Sequence, residues 1–161
     1  MTTQIDPSLL RLVRDGMGDS VPFARHTGVV LDEVDDGRAI ASLPASSEIL
    51  NHVSTVHAGS LFTLAEAASG AAMAGAFAPS LFDIRPVVSA ATIEYSKPAA
   101  APLRATAAVS TEGRELRARL AEDGRVSFDV DVVIADARER DVARFRATWV
   151  VKQHGDAAHQ Q

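Results

Sequence analysis

The sequence predicts an α+β chain in which a curved antiparallel sheet wraps one long apolar helix, and three observations predict it. Residues 60–77 carry Ala, Leu, Met and Phe on every side of a helical projection, broken by a single charge at Glu66. A helix that is apolar all round is a buried one. After Pro79 the chain alternates apolar and polar residues with the period of strands. Helical and strand signals are segregated along the chain, which excludes a doubly wound parallel sheet.

Taken in order, Asp6-Pro7 starts the first helix, with Asp as cap and Pro at the first helical position. Ile5, Leu9, Val13 and Met17 follow near helical spacing, and the helix is expected to end around Gly16 to Gly18. A loop with Pro22 and Phe23 follows. Residues 28–43 predict a hairpin, with β-formers from Val29 to Val34, a turn at Asp35-Asp36-Gly37, and alternation from Arg38 to Leu43. Residues 44–50 are a loop into the central helix, which Pro79 ends. Val87, Ser89, Ala91, Ile93 and Tyr95 are expected on one face of the next strand, and Pro98 and Pro102 bracket a turn. Leu103 to Val109 alternate, Leu116, Ala118 and Leu120 are read as a strand or its extension, and Glu122-Asp123-Gly124 is a turn. Val126 to Ile134 and Ala143 to Val151 complete the sheet. The expected organisation is an N-terminal helix at 1–20, one domain at 21–152 and a loose tail at 153–161.

A chain of 161 residues with 47% hydrophobic residues has room for one good core. Its net charge of −5 gives no argument for nucleic acid. The absence of Cys excludes disulfides, thiolate nucleophiles and Cys-bound metals. The apolar run is too short on either side of Glu66, and too rich in Ala, for a membrane span. No basic and apolar leader opens the chain, so a cytoplasmic location is expected. His26, His154 and His159 are dispersed without metal-ligand spacing.

Glu66 is the residue that points to chemistry. It is either a structural acid that reaches solvent or an Arg, or a functional carboxylate whose burial raises its pKa toward that of a useful base. Its company favours function: Asn51, His52 and His57 lie just upstream, and Ala58 and Gly59 place backbone N–H groups at the positive end of the helix. Such an end can hold a developing oxyanion. His57 and Glu66 are nine positions apart, hence on opposite sides of one helix and about 13 Å apart along its axis. Two antiparallel copies of the helix would bring them together, which predicts a site between two subunits.

Asn51, His57-Ala58-Gly59 and Leu64-x-Glu66-x-Ala68 resemble the signature of hotdog-fold acyl-CoA thioesterases of the phenylacetate-degradation (PaaI-like) type. Val21 through Pro44 resembles that family's opening hairpin, and Ile93 to Ala99 its strand after the helix. The resemblance covers about residues 20 to 150. It implies the hotdog fold, hydrolysis of an acyl-CoA or acyl carrier protein thioester, no metal or other cofactor, and a homodimer or a dimer of dimers. It also implies that Glu66 is general base or nucleophile and that the Ala58 amide polarises the thioester carbonyl. Gly59 would allow close approach, Asn51 would orient water or the thioester, and His57 would assist at the carbonyl. The acyl group would be small and aromatic, or of short to medium chain, in a pocket drawing on Leu61, Phe62, Phe77 and Phe82. Two departures stand out. Ala58 replaces the first Gly of His-Gly-Gly, and the position for a water-holding Ser or Thr falls at Val88, with Ser89 beside it. Arg114, Arg117, Arg119 and Arg125 could hold coenzyme A phosphates or be solvated faces paired with Glu112, Glu115 and Glu122. A non-catalytic acyl-CoA or fatty-acid binding protein on the same fold is the alternative. A hotdog hydratase is the third reading, and its usual residue pairs are missing.

Overall fold

The computed structural model describes residues 4–154. The chain opens with α1 (Pro7–Ser20), capped by Asp6, whose Oδ1 accepts the Ser8 N–H at 2.8 Å. It runs past Gly16 and Gly18. Glycine ends a helix when the chain turns left-handed there, and neither of these has a positive φ. Where a loop was expected, a second short helix forms, α2 (Pro22–Thr27). Pro22 stands at its start, and Gly28 closes it at φ 88°. β1 (Val30–Asp35) and β2 (Arg38–Leu43) make the expected hairpin, with Gly37 at φ 73° in its turn.

The central helix, α3 (Ala58–Ala76), begins two residues earlier than expected and gives way at Phe77 to a 3₁₀ segment, Ala78–Asp83. The sheet continues with β3 (Ile84–Tyr95), β4 (Leu103–Val109), β5 (Arg125–Ala135) and β6 (Asp141–Gln153). Its order is β1-β2-β4-β5-β6-β3 with every pair antiparallel. Five strands, β1, β2, β4, β5 and β6, contact α3. At about 4.8 Å per strand they span roughly 19 Å, wider than a helix of about 10–12 Å, so the sheet must curl around it. This is the hotdog architecture that the family resemblance implied.

Small residues let α3 sit deep. From Ala68 to Ala76 it is buried on all sides, between the sheet and the α1–α2 pair. A Cβ on Gly75 would stand 2.0 Å from the Asp35 carbonyl oxygen, so only glycine fits beneath the β1–β2 turn.

Three further readings need correction. Residues 116–120 are not a strand but part of α4 (Gly113–Asp123). Leu116 and Leu120, one helical turn apart, are buried while Ala118 is exposed, and Glu, Arg, Leu and Ala are good helix formers. The faces of β3 change partway. Ser89 is an extra residue between Val88, opposite Trp149, and Ala90, opposite Thr148. The bulge makes Ile84, Pro86 and Val88 the more buried residues before it, and Ala91 and Ile93 those after it. Finally, β6 continues to Gln153. His154 follows, its N–H bonded to the Asp83 carbonyl at 2.8 Å, and residues 155–161 of the expected tail lie outside the described residues. Among those described, no helix is long and apolar enough to cross a membrane.

Candidate active site

The start of α3 is built by a short closed loop. Leu50 and Val56 form an isolated bridge, and Asn51 locks the residues between them. Its Oδ1 accepts the N–H groups of Val53 (3.0 Å) and Thr55 (3.1 Å), and its Nδ2 donates to Thr55 Oγ1 at 2.8 Å. Asn51 therefore serves its own loop at both ends of its amide. The loop is tied down by Val56 N–H to the Ala99 carbonyl (3.0 Å) and His57 N–H to the Ile49 carbonyl (2.8 Å).

His57 caps the helix, and its Nδ1 accepts the Gly59 N–H at 2.8 Å. A ring nitrogen that accepts carries no proton, so the neutral imidazole holds its proton on Nε2. The Ser60 and Leu61 N–H groups bond to the His57 carbonyl at 2.9 and 3.2 Å. Of the first-turn amides, that of Ala58 alone has no partner among the described residues. The Gly59 amide is engaged, and a Cβ there would lie 3.0 Å from His57 Nδ1. Gly59 thus makes room for the capping imidazole, a different role from the close ligand approach expected of it. Ala58 has no positive φ, so its methyl is tolerated where the signature has glycine. His57, Ala58 and Gly59 are all exposed. Sequence reading missed Tyr95, at the end of β3, whose hydroxyl donates to the Ala58 carbonyl at 3.1 Å and braces the helix start. Its place as the chain's single Tyr was the one available signal.

Glu66 lies two turns further along. It is half-buried, its carboxylate has no hydrogen-bond or ionic partner among the described residues, and burial raises its pKa above the ordinary 4.5. It borders an apolar cavity of about 90 Å³ walled by Met17, Val21, Leu31, Gly70 and Trp149. The turn that carries it is pinned from the sheet: Trp149 Nε1 donates to Ser69 Oγ at 3.2 Å, and Ser69 Oγ donates to the Glu66 carbonyl at 2.8 Å.

The other expected site residues lie apart from this cavity. Leu61 is buried in the core, and Phe62 packs edge-on against Phe145 with ring centres 5.2 Å apart. Ser89, at the bulge, donates to the Thr148 carbonyl at 3.2 Å. Phe77 is fully buried and Phe82 is 86% exposed. The walls come instead from α1 (Met17), its link to α2 (Val21), β1 (Leu31), α3 (Gly70) and β6 (Trp149), none of which the sequence reading assigned to a pocket. The basic cluster sits at the far end of α3, where Arg117 pairs with Asp36 at 3.0 Å and also bonds the Ala76 carbonyl, and Arg119 pairs with Glu115. Within one chain Ala58 and Glu66 are eight residues apart, roughly 12 Å along the axis, so one helix does not bring amide and carboxylate to one reacting atom.

Comparison with known proteins bears on the fold and the family. The chain is 28% identical over 125 residues to the acyl-coenzyme A thioesterase PaaI of Escherichia coli K12, covering 76% of this chain and 77% of that protein. The solved structure of E. coli PaaI, from the phenylacetic acid degradation operon, superposes with a TM-score of 0.67 at 25% identity, over 92% of this chain and 95% of that one. A Pseudomonas aeruginosa protein of unknown function, described as a probable thioesterase, superposes with a TM-score of 0.78 at 24% identity, over 94% and 99% of the two chains. The resemblance to PaaI-like hotdog thioesterases is thereby shown. A family model matches residues 10–151, and the chain belongs to that family, described as a domain of unknown function (DUF4442).

Proposed function

We propose that this protein is a thioester hydrolase acting on acyl-CoA. The observation that carries the reading is a division of labour along α3. Its N-terminus offers an amide at Ala58 with no partner among the described residues and a His57 whose Nδ1 accepts the Gly59 N–H, leaving the proton on Nε2, both suited to a thioester carbonyl. Two turns on stands a desolvated carboxylate with no partner among the described residues, Glu66, suited to take a proton from water or to attack directly. The likeness to PaaI supports the substrate class.

The two halves meet if the site is shared between subunits. β3 is a twelve-residue strand at the edge of the sheet, and such an edge invites pairing with a second copy. Val87 and Tyr95 on it are 57% and 47% exposed. In the proposed homodimer, or dimer of dimers, Ala58 and His57 of one subunit polarise the carbonyl while Glu66 of the partner subunit activates water. Asn51 acts as a positioning residue, fixing the loop that aims His57. The cavity beside Glu66 is smaller than the about 150 Å³ that holds a benzene ring, which supports the short-chain end of the acyl range.

The test is thiol release from a panel of acyl-CoAs by wild type and Glu66→Ala. The proposal expects turnover that falls about a hundredfold or more in the variant. Binding of acyl-CoA without turnover by either protein would favour the non-catalytic carrier and sink the enzyme reading.

A further inference from the structure

We infer that an open groove on the far side of the Asn51 loop binds the phosphates of the coenzyme A nucleotide, with Arg138 as its principal cation; this rests on the acyl-CoA reading above.

The groove, of about 580 Å³, lies where the loop after Leu43, the Asn51 loop, the β3–β4 connection and the β5–β6 turn converge. Leu50, Ser54 and Thr55 in its wall belong to the same loop that Asn51 locks and that delivers His57 to the helix start. Thr55 in this wall is three residues before Ala58, and Val56 between them bonds to the carbonyl of Ala99, another wall residue, at 3.0 Å. Its size is that of a small-molecule site, which commonly spans about 300–1,000 Å³.

The charges there are unequal in availability. Asp136, 5% exposed, accepts the backbone N–H groups of Arg138 (3.0 Å) and Arg140 (3.2 Å) and the Arg140 guanidinium at 2.6 Å. Arg140 also donates to the Pro98 carbonyl at 3.2 Å, and its buried Nε has no hydrogen-bond partner among the described residues. The carboxylate thus neutralises Arg140 and fixes the turn. Arg138 is exposed, and its side chain makes no hydrogen bond or ion pair among the described residues, although Glu139 is its neighbour in sequence. A rigid turn that presents one uncommitted guanidinium over a groove lined with Ser46, Ser47, Ser54 and Thr55 is matched to phosphate, which guanidinium recognises with paired hydrogen bonds. The arginines of α4 cannot take this part, since Arg117 sits with the Ala76 carbonyl at the opposite end of α3.

The experiment compares KM for an acyl-CoA with KM for the same acyl group on N-acetylcysteamine, a thioester with no phosphates. In Arg138→Ala the ratio of the two KM values should rise about tenfold, as the loss of one charge-assisted contact of about 1.5 kcal/mol requires. Arg114→Ala, an exposed arginine on α4, should leave the ratio alone. A ratio unchanged in Arg138→Ala while both substrates turn over would overturn the groove and leave the thioesterase reading standing. An equal loss on both substrates would show a structural role and overturn it too. If wild type hydrolyses neither substrate, titration calorimetry with coenzyme A and with adenosine 3′,5′-bisphosphate still decides. Binding weakened about tenfold in Arg138→Ala supports the groove, and equal or absent binding overturns it.

Discussion

Replacing Ala58 by Pro isolates the proposed oxyanion donor, because it deletes one N–H and little else. Ala58 is the first residue of α3 after the His57 cap, the helical position where proline is best tolerated. The residue before a proline must be extended, and His57 already is, at φ −64° and ψ 139°. The lost N–H has no partner among the described residues, so the fold surrenders no hydrogen bond. We expect a change in stability within about 0.5 kcal/mol, as for a surface substitution away from special features. For a chain of this size that is a shift in Tm of about 1–2 °C. Removing an oxyanion donor from other enzymes costs about 10²–10³ in kcat, or about 2.7–4 kcal/mol. Thiol release should therefore fall by that factor in a protein whose melting curve and α-helical circular dichroism are near those of wild type. Full activity in a folded Ala58→Pro protein would refute the assignment, because no other first-turn amide is free to replace it. A large drop in Tm would refute the geometry of the cap.

Three further expectations follow from the same structure. Glu66→Gln should lose about 10²–10⁴-fold in kcat/KM, and the acid limb of the wild-type profile should lie above the ordinary carboxylate value. The same raised pKa means that folding favours protonated Glu66. Its stabilising effect is complete below about 4.5 and is lost as pH rises through the folded value, so Glu66→Gln should melt higher than wild type at pH 8 and about equally at pH 4. Gly75→Ala would gain about 1 kcal/mol of helix propensity and lose about 3 kcal/mol or more, since its Cβ would sit 2.0 Å from the Asp35 carbonyl oxygen; the net loss should lower Tm by about 4–8 °C, and an unchanged Tm would mean that the β1–β2 turn yields freely. Asp136 is held well below the usual carboxylate range, first by the Arg140 hydrogen bond. Asp136→Asn should therefore cost about 2–3 kcal/mol in urea unfolding at pH 7, with the gap to wild type closing as pH falls below about 4, the window in which the unfolded aspartate takes up its proton.

The sequence by itself determined the class of fold and supplied the address of the proposed site. Continuous apolarity in α3 and period-two alternation in five of the strands are local signals that burial reads directly, and they settled which helix lies inside the sheet. The spacing from Asn51 through His57 to Glu66 named the residues to examine. Residues 116–120 show where such reading stops, because their pattern fits strand and helix alike and only the burial of Leu116 and Leu120 chose between them. A bulge at Ser89 reversed a face, since one inserted residue changes register without changing composition. Tertiary structure alone decided how the named residues are used. It engaged Asn51 in its own loop and the Gly59 amide in the His57 cap, leaving Ala58 as the open donor. It also set the α1–α2 pair beside Glu66 and left the Arg138 side chain without a partner among the described residues. The Asn51 and His57 bonds are local, spanning two to four residues, but they depend on side-chain geometry that hydrophobic periodicity does not carry; the walls around Glu66 come from segments distant in sequence.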